Sequence, residues 1–278
     1  MHTKTAYLAL SSYPEAPPDA SILAAVNFVG SMGCGLHVTT FSVDIPQLYS
    51  PMGGLLLDVP ALVRGAEEKS KAECRRLESL VQGAAGAGLK VRCKSREVVL
   101  GAALDAAAAE ARYYELSVLP WSGETLLTQD MAQSVVFGSG RPAILVPSSA
   151  SAAALHHIAI AWDGSRVAAR ALWDALALLP KDGRLTVLTI RDEKPLSGPD
   201  LAGALAASLH ERGYNAKPLG IALSARTISE ALQASALEAG AQLLAMGGFG
   251  HSRVRDFVLG GATKGVLNDL RMPILLSH

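Results

Sequence analysis

Ala143-Ile144-Leu145-Val146, then Pro147-Ser148-Ser149-Ala150-Ser151-Ala152-Ala153-Ala154, then Ile158-Ala159-Ile160-Ala161-Trp162: two apolar runs flank a small, uncharged seam at the midpoint of the chain. A central linker calls for a search for an internal repeat, and the two sides match. Ala6-Tyr7-Leu8-Ala9-Leu10 answers Ile158-Ala159-Ile160-Ala161-Trp162, and Leu36-His37-Val38-Thr39-Thr40-Phe41-Ser42-Val43 answers Arg184-Leu185-Thr186-Val187-Leu188-Thr189-Ile190-Arg191. Leu116-Ser117-Val118-Leu119-Pro120 answers Leu243-Leu244-Ala245-Met246-Gly247, and Arg141-Pro142-Ala143-Ile144-Leu145 answers Met272-Pro273-Ile274-Leu275-Leu276. The offset changes between pairs, and the first half carries extra Pro- and Gly-rich residues around 46–65. The chain reads as a diverged tandem duplication, with units at residues 1–147 and 155–278.

Each half alternates short continuous apolar runs with longer segments of helical period. Continuous runs indicate strands buried on both faces, as in a parallel sheet covered by helices. Ser165 is placed to cap a helix with Val167, Ala168, Ala171, Leu172, Ala175 and Leu176 on one side. Another helix begins at Ile228, carries Leu237 one turn on and stops at Gly240. The expected class is α/β, two tandem doubly wound units.

Composition bounds the rest. At roughly 100–200 residues per domain, 278 residues make one large domain or two ordinary ones. The chain is 50% apolar and 18% charged, which suits a buried core and excludes a disordered chain. Twenty-five Lys+Arg balance 25 Asp+Glu, an argument against a nucleic-acid binder working through a basic face. No apolar stretch reaches the ~18 uncharged residues of a membrane helix. Cys34, Cys74 and Cys93 lack CxxC spacing and read as reduced thiols, so the expected location is the cytoplasm.

One segment is placed for chemistry: Met246-Gly247-Gly248-Phe249-Gly250-His251-Ser252-Arg253-Val254-Arg255-Asp256-Phe257-Val258-Leu259-Gly260-Gly261-Ala262-Thr263. It follows an expected strand, residues 242–246, and leads into an expected helix from about Thr263 through Val266 and Leu267. Glycines after a strand let a ligand approach peptide N–H groups, and a second pair at a helix start adds free amides at a positive dipole end. Two such clusters suit a phosphate chain. There is no Walker A Gly-Lys-Ser/Thr, and Gly248-Phe249-Gly250 lacks the third glycine of a dinucleotide fingerprint. By these residues alone the segment is equally a turn.

Gly247, Gly250 and Gly260, spaced as glycine, two residues, glycine, nine residues, glycine, resemble the nucleotide-binding signature of the universal stress protein family. The resemblance extends to Asp163 just after the first strand of the second half and to a last strand introduced by Pro273. It implies a five-stranded parallel sheet in each unit and an adenine nucleotide (ATP, ADP or AMP, with Mg2+ for the triphosphate) between the first strand's end and this loop. Carried over, Ala161, Trp162 and Asp163 sit beside the adenosine, with Ile190 a weaker adenine contact. Met246 and Gly247 flank base and ribose, and Gly250, His251 and Ser252 face the phosphates. Gly260, Gly261, Ala262 and Thr263 offer helix-start amides and a hydroxyl.

Two departures stand out. Gly261 occupies a place the family gives to Ser or Thr, and a hydrogen bond lost to an ionised phosphate costs on the order of 1.5–3 kcal/mol. Trp162 is bulkier than usual and either stacks on adenine or crowds it out. The first half departs further: Pro120-Trp121-Ser122-Gly123 is a shorter loop, Gln129 and Asp130 stand where the last glycine belongs, and Ser11 or Ser12 replaces the aspartate. No nucleotide is expected there. Its role, by the resemblance, is structural, with residues 143–146 pairing with 274–277 as paired domains of the family do, a pseudo-dimer within one chain; whether two chains further form a homodimer is left open.

The remaining titratable residues read as ordinary. His251 alone in a loop is usually solvated, and His156 and His157 lack a third metal ligand. Asp182-Gly183 reads as a turn, and Asp105 and Glu110 as exposed charges on an alanine-rich helix. With no nucleophile–base arrangement and no catalytic residue or metal site, the expectation is a nucleotide-binding regulatory protein, not an enzyme, with hydrolysis slow at most. The competing expectation is a tandem scaffold that has lost nucleotide and works through protein–protein contacts.

Overall fold

A computed structural model describes residues 4–46, 58–122, 126–191, 200–248, 265 and 267–278. The first half runs β1 (Thr5–Ser11), α1 (Asp19–Ser31), β2 (Gly35–Asp44), α2 (Val59–Ala84), β3 (Val91–Val99), α3 (Ala103–Ala111), β4 (Leu116–Trp121), α4 (Leu126–Gly138) and β5 (Ala143–Pro147). The second runs β6 (His157–Ala161), α5 (Arg166–Leu176), β7 (Arg184–Ile190), α6 (Leu201–Glu211), β8 (Asn215–Ile221), α7 (Ile228–Glu238), β9 (Leu243–Gly247) and β10 (Ile274–Ser277).

Among the described residues, ten strands form one sheet in the order β3-β2-β1-β4-β5-β10-β9-β6-β7-β8. The last five repeat the first five in mirror order, so each half is a doubly wound unit. Within each half the neighbours are parallel. The expected junction is present: β5 and β10 pair antiparallel, with Leu145 opposite Ile274, Ile144 opposite Leu275 and Ala143 opposite Leu276. The seam before β6 is pinned by Gln242. Its Oε1 accepts from the N–H groups of His156 (3.2 Å) and His157 (2.8 Å), and its Nε2 donates to the Ala154 carbonyl (3.0 Å).

Two apolar layers sandwich the sheet. On one face, Ile22, Phe28, Leu77, Leu172, Leu176 and Leu209 bring in α1, α2, α5 and α6. On the other, Ala107, Val135, Val136, Leu232 and Leu267 bring in α3, α4, α7 and a helical turn at Gly265, Leu267 and Asn268. The central strands β4, β5 and β10 are buried at every residue, hence their largely apolar sequence, in which Ser117 and Ser277 are the polar residues.

Helix ends follow local chemistry. Ser165 caps α5 by accepting from Ala168 N–H at 3.2 Å. Thr227 and Glu230 form a capping box at α7, and Gly240 takes φ 78° where that helix stops. Leu237 does not join the core: it is 46% exposed, on the outer side of α7.

Glu110 corrects an expectation more sharply. It is 6% exposed, against Asp105, which is exposed as anticipated. Glu110 accepts from Thr39 Oγ1 at 2.9 Å and pairs with Lys94 on edge strand β3. A buried carboxylate is tolerated because charge and hydrogen bond arrive together; both partners come from strands distant in sequence.

Candidate functional site

In the second half β6 is flanked by β7 on one side and β9 on the other. The connections leave β6 in opposite directions there, and doubly wound sheets open a crevice outside the strand ends at such a switch point. The ends in question are Ala161-Trp162-Asp163 after β6, Ile190 closing β7, and Met246-Gly247 closing β9.

Strand alternation sorts these side chains. Ala161 and Ile190 pack on the layer that contains Met246, Leu188, Ile221 and Leu232, so three of the expected contacts come together as an apolar floor beside α7. Trp162 is one residue out of phase and packs on the opposite layer, with Ile158 and Ile160. Its main chain is tied down: the N–H donates to the Leu188 carbonyl (2.8 Å) and its carbonyl accepts from Thr189 Oγ1 (2.9 Å). The ring thus neither shares the floor's face nor fills it.

Asp163 is exposed at the mouth. Its Oδ1 accepts from Ser165 N–H at 2.9 Å, closing a short turn through Gly164, whose φ of 76° a side chain would strain.

Gly247 has a packing reason of its own. A Cβ there would lie 2.6 Å from the Val167 carbonyl carbon and 2.7 Å from the Ala168 nitrogen, so only glycine lets the start of α5 lie against β9. Gly248 N–H continues the ladder to the Ser277 carbonyl at 2.8 Å.

Past the glycine-rich segment, α7 holds the chain. A Cβ on Gly265 would collide with the Ser229 side chain. Buried Gln233 donates from Nε2 to the Asp269 carbonyl and accepts from Arg271 N–H, both at 2.8 Å. This clamp fixes the turn into β10. Sequence reasoning missed it, although a long polar side chain on the buried side of α7, beside Ser229 and Ser235, was a signal. Gly250, His251, Ser252, Gly260, Gly261, Ala262 and Thr263 lie outside the described residues.

At the equivalent position in the first half the serine hydroxyls are engaged by the protein itself. Ser12 Oγ donates to the Phe41 carbonyl (2.9 Å) and lies 2.7 Å from Ser70 Oγ, which accepts from Val43 N–H. Ser11 Oγ donates to the Tyr13 carbonyl. A hollow between these strand ends is lined by Ala9, Ser11, Leu119, Pro120 and Met131, and by exposed Glu15. Among the described residues no three His, Cys, Asp or Glu side chains cluster as a metal site, and no helix is long and apolar enough to cross a membrane. His157 is occupied at Nε2, 2.8 Å from Thr186 Oγ1, and burial holds its pKa below the usual histidine value.

No protein-family model and no curated protein matches the sequence. Solved structures do. A universal stress protein from Archaeoglobus fulgidus DSM 4304 is 15% identical, with a TM-score of 0.71 over 98% of this chain and 97% of that one. A putative universal stress protein from Pseudomonas aeruginosa UCBPP-PA14 is 12% identical over 99% and 93%, at TM-score 0.49. A universal stress protein in complex with cAMP is 17% identical over 53% of this chain and all of that one, at TM-score 0.30. The first of these carries the conclusion, which concerns architecture: this chain has the universal stress protein fold.

Proposed function

We propose that the chain is a tandem member of the universal stress protein family, with units at residues 1–147 and 155–278, and that it binds one adenine nucleotide, in the second unit. The observation that carries this reading is the pairing of an apolar floor (Ala161, Ile190, Met246) with an exposed acid, Asp163, at the sheet's switch point. An adenine ring suits the floor and a ribose hydroxyl suits the carboxylate. The glycine-rich segment continuing from β9 would supply main-chain donors to phosphate, with Mg2+ accompanying ATP. The ligand acts by binding one conformation better than another, so that a partner protein reads the nucleotide state. No residue of the described site is poised to activate water, and the reading is a cytoplasmic regulator rather than an enzyme.

The scaffold reading keeps one specific support: Gly247 is required by the approach of α5, ligand or no ligand. Thermal unfolding of the purified chain with and without Mg-ATP separates the two. Saturation at 100 times Kd adds about 2.7 kcal/mol and a clear rise in Tm. An unchanged midpoint at millimolar ATP, ADP and AMP would leave the scaffold.

A further inference from the structure

Among the described residues Glu110 carries the one buried carboxylate, and its two oxygens are served unequally. Oε1 accepts from Thr39 Oγ1 at 2.9 Å and pairs with Lys94. Oε2 is shut off from bulk solvent and reaches no hydrogen-bond partner among the described residues. Arg96 Nη1 stands 3.9 Å from it, too far for a hydrogen bond. His37 repeats the pattern: its Nε2 is buried, makes no hydrogen bond among the described residues and stops 3.8 Å from Glu110 Oε1. Turning the imidazole toward that oxygen would break its stack on Tyr114, whose centroid lies 5.0 Å away; Tyr114 is stacked in turn on Tyr7 at 5.1 Å.

Polar contacts that stall beyond about 3.5 Å are those a water bridges, and a buried polar atom left without a partner is costly. Here two such gaps share one carboxylate. From them we infer that a single water molecule is bound on Glu110 Oε2, donating to that oxygen, accepting from Arg96 Nη1 and sharing a hydrogen bond with His37 Nε2. Three partners are roughly what a buried water takes. The charges select a neutral guest: an anion would face the carboxylate, and a cation would face Lys94 and Arg96. Burial, followed by the Lys94 charge, holds the His37 pKa below the usual histidine value, so at neutral pH the ring adds no further charge. The water closes a network over β2, β3 and α3, and gives edge strand β3 a second tie to α3 beside Lys94. This site lies in the first half and is independent of the nucleotide reading.

Crystals of the full chain provide the test. Wild-type density should show one ordered solvent peak within hydrogen-bond reach of Glu110 Oε2 and of a nitrogen of Arg96 or His37. Arg96→Met, at a side chain 49% exposed, keeps the stem and removes the guanidinium; the peak should remain, held by the buried atoms. A wild-type guanidinium closed directly onto Oε2, with no solvent peak there, overturns the inference. In solution, deuteron relaxation dispersion counts long-lived internal waters. Glu110→Met removes the water's acceptor, and His37→Phe is the milder variant that keeps a ring against Tyr114. Each variant that folds should hold one long-lived water fewer than wild type, and an unchanged count overturns the inference. Should neither variant fold, the wild-type density still decides.

Discussion

The two crevices of this molecule stand at equivalent places in equivalent topologies and have opposite chemistry. At β6 and β9 the sheet ends in an exposed carboxylate, a glycine and an apolar floor. At β1 and β4 it ends in Ser12, whose hydroxyl is engaged by Phe41 and Ser70, and in Pro120-Trp121, where Pro120 has no N–H to offer. The difference teaches that strand order fixes where a crevice opens, while one or two residues at each strand end decide whether anything can use it.

The sharpest break of this contrast is Gly260→Val. A branched side chain in the second glycine cluster should remove nucleotide binding altogether while the melting temperature of ligand-free protein stays put; unchanged affinity by calorimetry would move the site elsewhere. Next in size is Gly247→Ala. A methyl within 2.7 Å of α5 backbone must push strand and helix apart, at a cost of about 1–3 kcal/mol for overpacking. Urea denaturation reads it, and a neutral result would mean that α5 gives way freely, so that Gly247 is kept for a ligand instead. Smallest is Ser12→Ala in the first half. It should cost about 1 kcal/mol by removing the bond to Phe41, and leave nucleotide stoichiometry at one per chain. Restored binding in the first half would contradict the asymmetry.

Much of the fold was legible in the sequence. The eight runs quoted at the outset are strands, because a strand flanked by strands and covered by helices is mostly apolar, with buried exceptions such as Thr39, Thr40 and Thr186. β3 and β8 were not legible, and the reason is their place at the two ends of the sheet. β3 carries Arg92, Lys94 and Arg96, and β8 carries Lys217 and Pro218, the residues that edge strands use against further pairing. They break the apolar pattern by which the others were found.

The site was legible in part. The phase of Ile158, Ile160 and Trp162 already implied that the indole leaves the face shared by Ala161 and Met246, but bulk drew attention before parity did. Gly247 was read as a ligand-facing residue, and its contact with the start of α5 could not be foreseen: a helix-to-strand distance has no signature in a linear string. Glu110 was misread for the same reason. Glu110 lies on α3, and its burial depends on Thr39 of β2, 71 residues away, and on Lys94 of β3.

The antiparallel junction of β5 with β10 has a consequence for dilution. Two separate subunits joined along three residue pairs would part as their concentration fell, whereas here the partner arrives on the same polypeptide, at an effective concentration in the millimolar range that does not change with expression level. Such tethering frees each copy from having to match its own mirror image, and under it one crevice can change its chemistry without loosening the assembly around the other.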